Sequence, residues 1–114
     1  MSPITTHVLD TAQGRPAAGV PVVLEQSDRS GPWQPAGRGE TDADGRLRTL
    51  MPDGAALGAG LYRLIFDTRR YFEAHGLPVF YPHVVVVFQI EAGETHVHVP
   101  LLLSPFGYTT YRGS

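Results

Sequence analysis

The sequence predicts an all-β domain, a two-sheet sandwich of about eight strands with one short helix, and three observations carry that expectation. Thirteen glycines and ten prolines are spread through the 114 residues rather than clustered, so turns recur and the elements between them must be short. Most of those elements alternate side-chain character with a period of two, as strands do. One stretch alone, after Asp67, has the start and stop signals of a helix. The length fits a single domain, residues 1–114, around one core.

In chain order, Ile4 to Asp10 reads as a strand that begins almost at once, with Val8 inward and His7 on the opposite face. Gln13-Gly14-Arg15-Pro16 supplies a turn. Val20 to Glu25 is a second strand whose Val20, Val22 and Leu24 face the core, and Pro21, lacking an amide donor, suggests an edge or a bulge there. Ser27 to Pro32 is a polar turn, and Trp33 to Glu40 a weak strand interrupted by Pro35 and two glycines. In Thr41-Asp42-Ala43-Asp44-Gly45-Arg46 the Asp-x-Asp-Gly spacing resembles the start of a calcium loop. No further carboxylate follows where one would be needed, so a tight turn closed by Gly45 at positive φ is expected, with Arg46 held rigidly at the head of the next strand. Arg46 and Arg48 share one face of that strand and Leu47 takes the other.

After a Gly- and Ala-rich loop, Leu61 to Phe66 is a strand with Tyr62, Leu64 and Phe66 on one side. Asp67 can cap a helix from Thr68 to His75 that Gly76 ends. Val84 to Ile90 is apolar on both faces, and as an exposed edge it would aggregate, so pairing with another copy of the chain is expected. The final stretch alternates Val97, Val99, Leu101 and Leu103 against His96, His98, Pro100 and Leu102, then passes through Pro105 and Gly107 into a second short extended run that stops on Tyr111-Arg112-Gly113-Ser114. The first set is a core face; the second carries two imidazoles where a solvated strand would carry Lys or Glu.

Composition removes several function classes. A net charge of -2 with scattered basic residues gives no footprint for nucleic acid or an anionic membrane surface. With no cysteine there is no disulfide or thiolate chemistry. The sequence shows no leader pattern and no apolar run of spanning length, so a cytoplasmic protein is expected. His96-x-His98 could form half of a zinc site, but a third ligand would have to come from His7, His75 or His83.

If the first strand and the His98 strand are sheet neighbours, their like-facing side chains sit about 5 Å apart, and His7 and His98 can meet. Arg46 nearby would oppose protonation of both rings, leaving a neutral imidazole able to take a proton near pH 7. Neutral imidazole with a fixed guanidinium suits hydrolysis of a polarised carbonyl: the base activates water and the cation stabilises the oxyanion. There is no Gly-x-Ser-x-Gly nucleophile pattern, so a covalent mechanism is not favoured.

Thr5-Thr6-His7-Val8-Leu9-Asp10, Asp44-Gly45-Arg46, Phe80-Tyr81-Pro82, His98-Val99-Pro100-Leu101-Leu102-Leu103-Ser104 and the closing Tyr111-Arg112-Gly113-Ser114 together make the chain resemble the transthyretin-related 5-hydroxyisourate hydrolases of purine degradation. The resemblance covers nearly the full length. It implies a transthyretin-like sandwich assembled as a homotetramer, a dimer of dimers with active sites in the channel between stacked pairs. It implies hydrolytic opening of the six-membered ring of 5-hydroxyisourate to 2-oxo-4-hydroxy-4-carboxy-5-ureidoimidazoline, with no metal or organic cofactor. By matching positions it implies His7, Arg46, His98 and Ser114 as catalytic residues, with Tyr111, Arg112 and Gly113 shaping the substrate pocket. Either histidine can be the base on this reading. The alternatives are a non-catalytic transthyretin-like carrier of a small aromatic ligand and a zinc hydrolase using His96, His98 and His7.

Overall fold

The computed structural model describes residues 2–28 and 30–114; Arg29, in the expected polar turn, and Met1 lie outside the described residues. Among the described residues nine strands and one helix follow one another as β1 (Ile4–Asp10), β2 (Arg15–Pro16), β3 (Pro21–Ser27), β4 (Gln34–Glu40), β5 (Arg46–Leu47), β6 (Gly60–Phe66), α1 (Thr68–Ala74), β7 (Val84–Ile90), β8 (Val97–Ser104) and β9 (Gly107–Thr110). They form two sheets. The first has the order β2-β1-β8-β9, with β5 also on β1; the second has the order β4-β3-β6-β7. The sandwich expected from the alternating pattern is therefore present.

Two local expectations change. Arg15–Pro16, read as part of a turn, folds back far enough to pair with Leu9 and Asp10 as a two-residue strand, and the turn itself falls at residues 11–14. Pro21 marks neither an edge nor a bulge. It opens β3, an interior strand, where a missing amide is tolerated at the first position. The register shift in β3 falls instead at Leu24/Glu25.

The core lies between the sheets and takes one parity from each of β1, β3, β6, β7 and β8. Ile4, Val8, Val97, Val99, Leu101 and Leu103 come from the first sheet and Val22, Leu24, Tyr62, Leu64, Phe66, Val84 and Ile90 from the second. Burying each large apolar side chain contributes on the order of 1.5–3 kcal/mol, and this burial fixes the strand registers. A one-residue slip would turn the whole set outward. The opposite parity of β1 and β8 is thereby held on the outer face, away from the core.

The helix is tied to the first sheet by a buried polar contact. Asp67 caps α1 by accepting from the Arg70 amide at 3.1 Å. The Tyr71 hydroxyl donates to Asp10 Oδ2 at 2.6 Å across the end of β1. Burial and the carboxylate together push the Tyr71 phenol far above its usual range, so it stays a donor. Asp10 Oδ1 accepts from the Ala12 and Gln13 amides, closing the turn that leads to β2. Tyr71→Phe leaves a buried carboxylate short of one partner and is expected to cost about 1.5–3 kcal/mol, read from urea unfolding midpoints at an unchanged m-value.

Edge strand β7 exposes Val85 and Val87, at 44% and 55% of their full accessibility. Among the described residues no helix is long and apolar enough to cross a membrane.

Candidate active site

Side chains of one parity from three strands meet on the outer face of the first sheet. β1 and β8 run parallel, with Thr5 opposite His98 and His7 opposite Pro100; β5 runs antiparallel to β1, with Arg46 opposite His7. The two histidines are thus diagonal neighbours, and Arg46 sits on the far side of β1 from His98.

The turn before β5 sets Arg46. Asp42 Oδ1 accepts from the amides of Asp44 and Arg46 at 2.8 and 3.0 Å. Gly45 has φ +75°, and its carbonyl accepts from the Val8 amide at 2.7 Å. A Cβ there would stand 2.4 Å from the Val8 carbonyl oxygen, so glycine is required both for its dihedral and for the close approach to β1. His7 joins the same turn: its Nε2 lies 2.9 Å from the Asp44 carbonyl, which can only accept, so Nε2 carries the ring proton.

His98 is held on several sides. Its Nδ1 is 2.8 Å from Thr5 Oγ1, and the same hydroxyl is 3.2 Å from His96 Nε2. The tail crosses its other edge. The β8–β9 register pairs Leu101 with Thr110, and continuing it puts Gly113 opposite His98, where the Gly113 amide donates to the His98 carbonyl at 2.8 Å. Pro100 has no amide to give at the intervening position, and Thr110 Oγ1 donates to its carbonyl instead. A Cβ on Gly113 would meet His98 Cδ2 at 2.7 Å and Pro100 Cγ at 3.2 Å, so the tail lies on the imidazole edge because residue 113 has no side chain.

Thr5, Arg46, Arg48, His96, His98 and Ser114 line a cavity of about 150 Å³. A larger cavity of about 380 Å³ opens elsewhere, beside Ser27, Asp28 and Tyr62. Among the described residues no histidine or arginine lines it, whereas two of each line the smaller one. The His98 ring is held below the usual histidine range, chiefly by burial and next by the Arg46 guanidinium, then by His7 and His96; the Thr5 backbone carbonyl works the other way. Among the described residues no group of three or more His, Cys, Asp or Glu side chains is placed to hold a metal ion.

The seven residues singled out in the sequence divide between two places. Arg46, His98 and Ser114 border one cavity, Gly113 packs on His98, and His7 stands beside them on the same face, tied to the Asp44 turn. Arg112, one residue from Gly113, turns elsewhere. It pairs with Glu94 and, with Tyr111, lines an apolar cleft of about 130 Å³ beside Val86, Phe88, Val97 and Val99. Thr5 was not singled out. Its parity with His7 was the available signal, but its contact with both imidazoles depends on which residue of β8 lies opposite.

A family model described as HIUase/Transthyretin family matches residues 4–113. A 5-hydroxyisourate hydrolase of Salmonella typhimurium is 50% identical over 111 residues, covering 97% of this chain and 80% of that one. The solved Klebsiella pneumoniae 5-hydroxyisourate hydrolase superposes with a TM-score of 0.81 at 38% identity over the whole of both chains. Sea bream transthyretin, solved in complex with thyroxine, gives 0.88 at 36% identity, covering 97% of this chain and 94% of that one.

Proposed function

The chain belongs to the HIUase/transthyretin family, and from that premise we propose that it is a hydrolase opening the six-membered ring of 5-hydroxyisourate. The observation that carries this reading is the cavity in which a buried-edge, neutral-leaning imidazole faces a fixed guanidinium. A carrier needs an apolar slot and has no use for a base beside a cation.

His98 acts as general base. It takes a proton from water as the water oxygen bonds to the ring carbonyl carbon, with Ser114 placed to orient that water. The electron pair of the carbonyl moves onto its oxygen, where Arg46 stabilises the charge. As the oxyanion collapses, the carbon–nitrogen bond breaks and the leaving nitrogen takes the proton that His98 accepted from water, while His7, tied to the Asp44 carbonyl through Nε2, orients the substrate. Gly113 lets the tail lie against His98, while Arg112 and Tyr111 anchor the tail on the neighbouring face. Adding freshly prepared 5-hydroxyisourate and following ultraviolet absorbance tests the reading. Accelerated decay supports it, and decay at the spontaneous rate would leave a carrier.

The working assembly is a homotetramer that lays the outer faces of two first sheets together around a shared channel. The exposed Val85 and Val87 on the β7 edge support edge-to-edge pairing within it, and sedimentation gives the mass directly. A cytoplasmic location belongs to the same reading; cell fractionation checks it.

The depressed His98 pKa fixes the pH behaviour. A base must be neutral to work, and a ring that protonates below the ordinary value of 6.5 stays neutral to lower pH. The acid limb of kcat/KM is therefore expected below pH 6.5, with activity lost as pH falls through the lowered value. An acid limb above 6.5 would assign the base to another group. Stability follows the same sign: the unfolded chain takes this proton first, so the contribution is complete above 6.5 and is lost as pH drops through the folded value.

A further inference from the structure

We propose that Thr5 is a positioning residue that fixes His98 in the tautomer with its proton on Nδ1, leaving Nε2 bare toward the cavity. The inference rests on His98 being the base, as above. A neutral imidazole can act as a base through the nitrogen that lacks a proton, and in a free imidazole ring both tautomers are accessible. Something must choose between them.

A threonine hydroxyl has one proton and lies within hydrogen-bond distance of two ring nitrogens, His98 Nδ1 at 2.8 Å and His96 Nε2 at 3.2 Å. It can donate to one of them only, so at least one ring must donate to it if both contacts are hydrogen bonds.

Geometry sets the direction. Nδ1 is the nitrogen that faces the Thr5 hydroxyl, so Nε2 points away from it, and the ring lines a cavity together with Arg46 and Arg48. An N–H placed there would aim its positive end at two cations, whereas a lone pair aims its negative end at them. The chain of donors then runs from His98 Nδ1–H to Thr5 Oγ1, and from Thr5 Oγ1–H to His96 Nε2. His96 thereby acquires a purpose: it accepts the hydroxyl proton and keeps it from turning back toward His98. Thr5 is itself 4% exposed, so water does not compete for either contact.

Histidine-labelled protein read by two-bond nitrogen–proton correlation spectra reports the tautomer directly, without substrate. Wild type is expected to show His98 with Nδ1 protonated and Nε2 bare. Thr5→Val, nearly the same shape without the hydroxyl, is expected to move the population toward the Nε2–H form and to lower kcat about five- to tenfold at little-changed KM. Thr5→Ser should restore both the spectrum and kcat. His96→Leu should give a mixture of the two forms. A wild-type spectrum with Nε2 protonated, or a Thr5→Val spectrum identical to wild type, overturns the proposal. Since the spectrum is read on resting protein, failure to hydrolyse 5-hydroxyisourate would remove the proposed activity without touching the tautomer, and the reverse also holds.

Discussion

Replacing His98 by Asn is expected to lower kcat/KM for 5-hydroxyisourate by about 10²–10⁴-fold, with the melting temperature within about 4 °C of wild type. Asparagine is close to the imidazole in reach and can keep a polar contact to Thr5, but it cannot take a proton at neutral pH. His98 is half-buried on the outer parity of β8, while Val97 and Val99 on either side hold that strand in the core. Steady-state kinetics with a thermal scan on the same sample separates the two effects. Wild-type turnover in this variant would remove His98 from the reaction.

Arg46→Ala is expected to cost about 10²–10³-fold in kcat, and to do something His98→Asn does not. Arg46 is the largest charge depressing the His98 pKa, second only to burial. Its loss should therefore move the acid limb of the residual activity upward toward the ordinary value, because the neutral ring is no longer favoured by a nearby cation. Arg46→Lys keeps the charge and should leave the limb near its wild-type position, while recovering turnover only in part, since an ammonium cannot present the planar fork of a guanidinium. The backbone of residue 46 donates to Asp42 whatever its side chain, so the turn should survive each change. A pH–rate profile that shifts identically in the Ala and Lys variants would count against the electrostatic assignment.

Much of this arrangement is legible in the residues alone, for a physical reason. A strand buried on one face must alternate, so Val97, Val99, Leu101 and Leu103 declare the core and leave His98 outside it. Asp67 and Gly76 bracket the helix because orphan amides and a left-handed residue need those side chains, and Gly45 is demanded by its turn. What was not legible depends on alignment between distant strands. That β1 and β8 run parallel with Thr5 opposite His98 is decided by packing across the whole sandwich, and no local pattern states it. The closing tetrapeptide illustrates the same limit from the other side. Read as one unit it suggests four residues in one pocket, but Arg112 turns to Glu94 while Gly113 packs on His98. Arg15–Pro16 was missed because two residues are too few to display any period.

The parallel β1–β8 ladder joins positions as far apart as Thr5 and His98, residues 93 apart in the chain. On the ribosome this sets an order of events. Strands β3, β4, β6 and β7 pair antiparallel with one another and can zip together as they emerge, but β1, made first, has to wait for β8 to leave the exit tunnel before its long side is covered. Contacts of such long range make folding slow, on the order of milliseconds to seconds. During that interval an apolar strand stands uncovered, a target for chaperones or for aggregation. A nascent fragment halted before Val97 would hold a complete second sheet and no active site, so limited proteolysis of stalled chains should find β1 cut and β6 protected.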